Sequence, residues 1–393
     1  MGFSVGLVGL PNAGKSTVFN ALTAAGAEVG AYPFTTVGRN LGARVIPDER
    51  LDTVARITRP VKVTPTALEI VDIAGLVPGA HRGEGLGNQF LGYIREVDLI
   101  GHVVRCFENE RVAPVDGQTD PVRDAETVEL ELALADLDTV ERRLERARRR
   151  AKGGVGADQA EVETLERLRE SLARGIPAHR LALASGATAL VRELFLLTSK
   201  PHLYIGNVSD RDFEAAAALG ANRSEPGGFS PGPTSPGPTS PGLAGWAALA
   251  AHAARSGTPA VPVAAAVEAE WAALPIAERA LWQEEFGLAI SGGVSLVRAA
   301  YEHLNVMTFY TVNENEARAY TVTKGTSAVA AAGKVHTDME RGFIRAEVVR
   351  FSDLERAGSM AAARQKGTLR AEGRDYVVQD GDILYFRFAP PAN

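Results

Sequence analysis

The sequence predicts an α/β fold that is interrupted by a helical hairpin and followed by a small β-rich domain. Strand patterns alternate with helix patterns from Phe3 onward, which is typical of an α/β domain. Residues 124–175 instead consist of helix formers with leucines at an approximate heptad spacing, which in the first arm are Leu130, Leu134, Leu137 and Leu144. Residues 304–393 carry short strand patterns, one of them at 376–379. We therefore expect one α/β domain at 1–123 and 176–303, a coiled-coil hairpin at 124–175 and a third domain at 304–393.

The first strand and helix enclose a glycine-rich loop at residues 9–17. Its sequence, Gly-Leu-Pro-Asn-Ala-Gly-Lys-Ser-Thr, matches G-x-x-x-x-G-K-[S/T] in the strand-to-helix context that this phosphate-binding motif requires. Glycines let successive N–H groups turn toward phosphate oxygens, and the helix N-terminus adds partial positive charge. Lys15 should reach the β- and γ-phosphates, Ser16 should ligate Mg²⁺, and Thr17 should help to hold the α-phosphate. The residues that we expect to bind a nucleotide here are Asn12, Ala13, Gly14, Lys15, Ser16 and Thr17.

Two later segments are typical of nucleotide-sensing switches. A loop about twenty residues after the lysine carries Thr35 and Thr36, either of which could complete Mg²⁺ coordination, and we favour Thr36. The strand pattern at 66–71 ends in Asp72, which begins a D-x-x-G motif. Asp72 is expected to hold a water on Mg²⁺, and the Gly75 N–H to bond the γ-phosphate.

The residue after this glycine is Leu76, where Ras-like enzymes place a water-orienting glutamine. Leucine cannot position water, so the catalytic group must lie elsewhere or be a backbone, cation or partner element. His81, Arg82 and Glu84 in the following glycine-rich loop are candidates, although exposed loop charges without a role would give the same pattern.

The base-reading site is predicted at the end of the strand pattern 201–206. Asn207 and Asp210 stand at the spacing of an Asn-Lys-x-Asp motif, but Val208 replaces the lysine that covers the base, so a guanine pocket would be incomplete. The last strand of the α/β domain leads into Ala264 and Ala265, which we place in the loop on the base side.

Two insertions stand out in the α/β pattern. Arginines cluster near the tip of the first hairpin arm. We interpret them as part of a solvated face on which they alternate with Glu141 and Glu145, and a local RNA-binding patch is the alternative. A doubled SPGPT repeat lies within residues 222–242; it cannot bury a core and should form a flexible surface loop.

The composition excludes several classes of protein. Hydrophobic residues make up 45% and charged residues 23%, as in soluble globular proteins, and no apolar run approaches membrane-spanning length. A formal net charge of −6 gives no general nucleic-acid signature, so we expect no DNA specificity. Cys106 is the only cysteine, which excludes a disulfide framework and favours a packed thiol over a redox sensor. We expect a cytoplasmic protein with no membrane partner.

The motifs together resemble those of the YchF, or Obg-like ATPase, family. The resemblance rests on the phosphate loop, on Asp72–Val77, on Gly83–Leu91, on His102–Asn109 and on His336–Ala346. It implies a Ras-like nucleotide domain, a coiled-coil insertion and a C-terminal TGS domain of β-grasp form. It also implies that ATP is preferred over GTP, that the ribosome or ribosomal RNA is the partner, and that a hydrophobic residue replaces the catalytic glutamine.

The resemblance also bears on catalysis and on base choice. Asn12 matches the asparagine that cation-dependent relatives use to hold K⁺, so Lys15, Asn12 and Gly75 are the expected catalytic residues. Two positions depart from the family: Asp210 stands where members usually have glutamate, and Pro114 where some have a histidine suggested to assist hydrolysis.

The hypothesis is therefore a switch ATPase that hydrolyses ATP to ADP and phosphate with Mg²⁺ and acts on ribosomes, in translation or the stress response. The alternatives are a GTPase of the same architecture and a nucleotide-gated ribosome- or RNA-binding module with negligible turnover.

Overall fold

The structure, a computed structural model, is described here for residues 2–23, 40–73, 86–109, 112, 117–151, 156–181, 187–221, 240–275, 277–279, 281 and 292–389. Two units divide the chain. The larger unit comprises Ser4–Gly42 and Ile70–Ala299, and the smaller unit comprises Met1–Phe3, Ala43–Glu69 and Ala300–Asn393. The switch loops and the SPGPT repeat fall largely outside the described residues.

The first sheet has six strands. Listed from one edge to the other, they are β2 (Asn40–Val45), β4 (Ala67–Asp72), β1 (Ser4–Val8), β5 (Leu99–Cys106), β6 (His202–Val208) and β7 (Ala260–Val263). The pairs β1/β5, β5/β6 and β6/β7 are parallel. All eight residues of β5 are buried, because a central parallel strand is covered by helices on both faces. The carboxyl ends of these parallel strands share one edge of the sheet, where ligand sites of α/β folds lie.

Helices flank this sheet and close two apolar clusters, one around Ile94 and Val128 and the other around Trp246 and Phe213. Two 3₁₀ turns, Ala178–Arg180 and Leu197–Ser199, connect some of them. The α-helices before the C-terminal strands are α1 (Lys15–Thr23), α2 (Glu49–Thr58), α3 (Leu86–Glu96), α4 (Pro121–Ala151), α5 (Gly156–Ala173), α6 (Ala187–Leu194), α7 (Asp210–Ala221), α8 (Pro241–Ser256), α9 (Ala265–Ala273) and α10 (Gly292–His303).

The predicted helical hairpin consists of α4 and α5, and its register in α4 differs from the sequence prediction. The second arm is as expected, with its seam residues all buried: Val162, Leu165, Leu168 and Leu172. In the first arm, however, Leu130 is 51% exposed, and the buried seam comprises Ala133, Val140, Leu144 and Ala147. The prediction that Leu130 lies in the seam is therefore wrong. The start of α4 packs on the sheet cluster through Val128 and Leu132 instead, so the seam begins one turn later.

The second sheet belongs to the smaller unit and mixes parallel and antiparallel pairs. Its six strands, listed from edge to edge, are β11 (Arg370–Glu372), β10 (Phe343–Arg350), β12 (Asp382–Phe388), β8 (Val306–Val312), β9 (Glu316–Thr323) and β3 (Lys62–Thr64). The pairs β12/β8 and β3/β9 are parallel, whereas β10/β11, β10/β12 and β8/β9 are antiparallel. The helices of this unit besides α2 are α11 (Ala328–Val335), α12 (Thr337–Arg341), α13 (Phe351–Ala357) and α14 (Met360–Gln365).

The smaller unit contains the β-rich sheet that the sequence predicts at 304–393, but it differs from the prediction in two respects. The strand predicted at 376–379 is wrong: Val377 forms only an isolated bridge with Ser327. Asp382 holds this segment instead, since it accepts hydrogen bonds from the Tyr376 hydroxyl at 2.7 Å and the Gln379 N–H at 2.9 Å. In addition, β3 joins this sheet by pairing with β9, so residues 43–69 group with the C-terminal unit, whereas the sequence pattern placed them in the 1–123 domain.

Candidate functional site

The glycine-rich loop lies at the end of β1 and depends on two glycines. Gly9 has φ 154°, and a Cβ there would lie 2.3 Å from the carbonyl oxygen of Val103 on the adjacent strand β5. Gly14 has φ 89°, and a Cβ there would lie 2.2 Å from Nδ2 of Asn207. Both positions therefore exclude any side chain, for backbone and for steric reasons. Asn12 occupies the left-handed region at φ 64°, which asparagine tolerates, and its side chain is exposed.

Lys15 is the first residue of α1 and folds back over the loop. Its Nζ donates to the carbonyl oxygens of Gly9 at 3.1 Å and Leu10 at 2.9 Å, and the residue is only 8% exposed. Burial lowers the pKa of the ammonium, and the nearby Asp72 carboxylate partly opposes that shift. A bound anion would therefore stabilise this buried cation, at the N-terminus of a helix whose first N–H groups have no intrahelical partner.

A pair of oxygen ligands stands beside the lysine. Ser16 Oγ donates to the Asp72 carboxylate at 3.0 Å, and Asn40 Nδ2 lies 3.4 Å from the same oxygen. Asp72 is the last residue of β4, as the sequence predicts, and it is 8% exposed. A hydroxyl and a carboxylate brought together at the mouth of a phosphate loop suit Mg²⁺, a hard cation with oxygen ligands. Thr36, the third predicted ligand, lies outside the described residues.

Asn207, at the end of β6, connects the two loops of the predicted nucleotide site. Its Nδ2 donates to the carbonyl oxygen of Ala13 at 3.1 Å, and its Oδ1 accepts from the N–H of Ala265 at 3.4 Å. The amide thus links the phosphate loop to the loop between β7 and α9, where the sequence places the base. Ala264 and Ala265 are both buried there, and Ala264 is the N-cap of α9.

The other two residues of the base motif have different environments. Val208 is buried in the apolar cluster around Trp246, so its side chain packs in the core. Asp210 is the exposed first residue of α7. The structure therefore brings Asn207 to the phosphate loop and leaves the carboxylate of Asp210 at the surface.

Thr17 is half-buried in the first turn of α1, next to Ser16. Several predicted residues cannot be placed, because they lie outside the described residues: Gly75, Leu76, His81, Arg82, Glu84 and Pro114. The catalytic contribution of Gly75 and the group that activates water remain predictions from the sequence.

The structure also identifies contributors that the sequence did not. Asn40, which touches Asp72, follows no motif and could have been found only from its place on β2 beside β4.

Glu268 is buried after β7 and accepts from the N–H groups of Gly292 at 2.8 Å and Gly293 at 3.1 Å, capping α10. Because Glu268 lies in the first turn of α9, the sequence suggests a favourable charge at the start of α9 and gives no sign that this residue caps α10.

The arginines at the hairpin tip are largely paired with acidic residues. Arg143 and Arg150 both bond Glu161 on α5, at 2.6 Å and 2.5 Å, and Arg148 bonds Glu166 at 2.7 Å. Burial opposes ionisation of Glu161, but these two arginines hold its pKa below its ordinary value. The partners come mainly from the facing arm, not from Glu141 and Glu145 as predicted, although Arg149 does reach Glu145 at 3.6 Å. The cross-arm pairs fix the register of the hairpin.

Cys106 and His336 each have a structural explanation. Cys106 is fully buried in the Trp246 cluster, and burial, followed by the nearby Asp124, raises the pKa of its thiol, so the thiolate is disfavoured. His336 caps α12 through its Nδ1, which accepts from the Asp338 N–H at 3.1 Å.

The chain matches two family models. One, described as "50S ribosome-binding GTPase", covers residues 4–135, and the other, YchF-GTPase_C, described as "Protein of unknown function", covers residues 306–389. None of the described helices combines the length and hydropathy of a membrane span.

Relatives and solved structures match over nearly the full chain. "Ribosome-binding ATPase YchF" of Escherichia coli O157:H7 is 44% identical over 388 residues, and the match covers 99% of this chain and 99% of that protein. The protein of the same name from Bacillus subtilis (strain 168) is 42% identical over 388 residues, and the match covers 99% of this chain and 100% of that protein. The Schizosaccharomyces pombe YchF GTPase structure has a TM-score of 0.78 at 30% identity, covering 98% of this chain and 97% of its own. A GTP binding protein from Pyrococcus horikoshii OT3 shares the fold, with a TM-score of 0.57 at 19% identity; the match covers 98% of this chain and 100% of that chain. The chain therefore belongs to the YchF family.

Proposed function

We propose that this chain hydrolyses ATP to ADP and phosphate with Mg²⁺ and acts as a nucleotide-dependent switch on ribosomes. The observation that carries the proposal is the buried Lys15 ammonium within the phosphate loop, beside the Ser16–Asp72 pair. The names of the relatives, which are ribosome-binding ATPases, support the choice of nucleotide and partner.

The loop performs the binding and electrostatic part of the reaction. Its N–H groups and the N-terminus of α1 receive the phosphates, and Lys15 neutralises charge that develops on the transferred phosphoryl group. Because Lys15 is already held by the carbonyls of Gly9 and Leu10, it loses little side-chain entropy when phosphate arrives.

Ser16, Asp72 and the predicted Thr36 would hold Mg²⁺. When bound, Mg²⁺ neutralises phosphate charge and aligns the leaving oxygen. Asp72 is oriented for this role by Ser16 and Asn40, which both hydrogen-bond the same carboxylate oxygen.

Because no glutamine follows Gly75, another group must orient the water or stabilise the charge that develops on the phosphates. Asn12 lies at the exposed crest of the loop in the left-handed conformation, and we infer that its side chain contributes to a K⁺ site near the phosphates. Gly75 is proposed to bond the γ-phosphate and to release its loop when that phosphate leaves.

The base site favours ATP in this proposal. Asn207 is committed to Ala13 and Ala265, Val208 packs in the core, and neither offers the lysine-like cover of a guanine pocket. Asp210 is the observation that favours the second candidate, a GTPase, because its exposed carboxylate could accept hydrogen bonds from the guanine edge.

A competition titration separates these functions. Purified protein is titrated with fluorescent ATP and competed with ATP or GTP, and phosphate release is measured with Mg²⁺ in KCl and in NaCl. We expect ATP to compete more strongly and turnover to be faster in KCl. Stronger competition by GTP would favour the GTPase over the ATPase as the function. Nucleotide binding without phosphate release would support the nucleotide-gated module.

The ribosomal partner is tested separately by co-sedimentation with ribosomes in ATP, in ADP and without nucleotide. We expect retention to depend on the nucleotide, as a switch requires, and a ribosome partner implies a cytoplasmic location. Sedimentation that is equal in all three conditions would contradict the switch while leaving the ATPase intact.

A further inference from the structure

A group of polar side chains joins the first sheet to α4. His102 lies on β5, His202 begins the neighbouring strand β6, and Glu129 comes from α4. One potential ligand atom from each residue lies within 4.8 Å of the others. The three residues belong to elements far apart in sequence, so the tertiary structure alone assembles them.

The distance between the two histidine nitrogens fits a metal site as well as a hydrogen bond. His102 Nδ1 lies 3.3 Å from His202 Nε2. Two nitrogen ligands of a tetrahedral Zn²⁺, each about 2.0–2.1 Å from the ion, stand about 3.3–3.4 Å apart. The Glu129 carboxylate is positioned by the hydroxyl of Tyr204, which donates to its Oε1, and His252 Nε2 lies 3.7 Å from the same oxygen.

The site is closed on one side and open on the other. His102 is 1% exposed. His202 and Glu129 are only half-buried and line an open pocket, which provides an entry path.

We propose that His102, His202 and Glu129 bind a divalent transition metal ion, with Zn²⁺ as the best match. Two imidazoles and one carboxylate form a known Zn²⁺ donor set, and water can supply the fourth ligand. Because the ligands come from β5, β6 and α4, the ion ties the base of the helical hairpin to the first sheet. Without a metal, the same residues would form only a hydrogen-bonded network of histidine, tyrosine and glutamate.

The test is a Zn²⁺ titration of the full chain against a chromophoric chelator, in excess Mg²⁺ so that the Ser16–Asp72 site is saturated. The variants are His202→Ala and Glu129→Gln, and His336→Ala is the control because this exposed histidine also lies beside an acidic residue, Asp338. We expect one tight equivalent in the wild type and the control, and at least about tenfold weaker binding in both variants.

Two further measurements keep the proposal testable if a variant folds poorly. Co²⁺ bound to the wild type should give the visible absorption of a four-coordinate site, and Zn²⁺ should raise the melting temperature of the wild type but not of His202→Gln. Retained binding of fluorescent ATP would show that each variant is folded. A wild type that takes up no stoichiometric Zn²⁺, or variants that bind as tightly as His336→Ala, would overturn the proposal.

Discussion

Gly14→Ala is expected to weaken ATP binding by a mechanism that involves Asn207. The residue has φ 89°, where a side chain costs about 1–2 kcal/mol. The new Cβ would also lie 2.2 Å from Asn207 Nδ2, so the amide must move. That movement breaks the hydrogen bonds to the Ala13 carbonyl and the Ala265 N–H, each worth about 0.5–1.5 kcal/mol.

The sum is about 2–5 kcal/mol, which corresponds to a loss of ATP affinity of roughly 30-fold to several thousand-fold. The loop can escape the strain by leaving its phosphate-binding shape, and nucleotide binding must then restore that shape. The cost therefore appears in the dissociation constant of ATP.

A double-mutant cycle isolates the contribution of the clash. Asn207→Ala alone loses the two hydrogen bonds, and in that background Gly14→Ala has no Nδ2 to collide with, so only the backbone cost remains. We expect the two changes to be less than additive by about 1–3 kcal/mol. The assay is a fluorescent-ATP titration of all four proteins, with circular dichroism to verify folding.

Additivity within about 0.5 kcal/mol would refute the reasoning, because it would mean that Gly14 and Asn207 do not compete for the same space. A Gly14→Ala protein with unchanged ATP affinity would refute the assigned loop conformation as well.

Three other changes test the site and the smaller unit. Lys15→Met keeps the side-chain volume but removes a charged donor worth about 1.5–3 kcal/mol, so ATP affinity should fall about 10- to 150-fold; unchanged titration would exclude Lys15 from phosphate binding. Asp72→Asn should raise the Mg²⁺ concentration for half-maximal phosphate release about 10- to 100-fold, and an unshifted Mg²⁺ curve would argue against a metal site there. Glu347→Gln tests pH dependence, since a hydrogen bond from Arg387 holds the pKa of Glu347 below its ordinary value. Above pH 4.5, the free energy of unfolding of the wild type should exceed that of this variant by roughly 0.5–1 kcal/mol, and the difference should disappear as pH falls through the lowered pKa of Glu347. A difference in melting temperature that does not depend on pH would contradict this.

Local patterns in the sequence predicted the parts of the site that lie within one strand, loop and helix. Gly9 to Thr17 follow β1 and open α1 as expected, because glycine spacing and the Lys-Ser pair encode the loop directly. Asp72 ends β4 for the same reason: an apolar strand run followed by an acidic residue specifies its own boundary.

Sequence patterns gave wrong or no predictions where burial depends on contacts with residues far away in the sequence. In α4, the heptad spacing placed Leu130 in the seam, yet the start of the helix packs on the sheet cluster, Leu130 is exposed, and the seam comprises Ala133 and Val140. The strand β3 has only three residues, too few for a periodic signal, and it is defined by its pairing with β9.

By itself, the sequence determined the phosphate loop, the acidic strand end, the helical hairpin and a β-rich C-terminal region, since each is encoded by short-range spacing. Only the tertiary structure decided that Asn207 bonds Ala13, 194 positions away, and that His102, His202 and Glu129 meet. The physical reason is that strand order in a sheet sets which side chains become neighbours, and that order depends on how the whole apolar surface is buried.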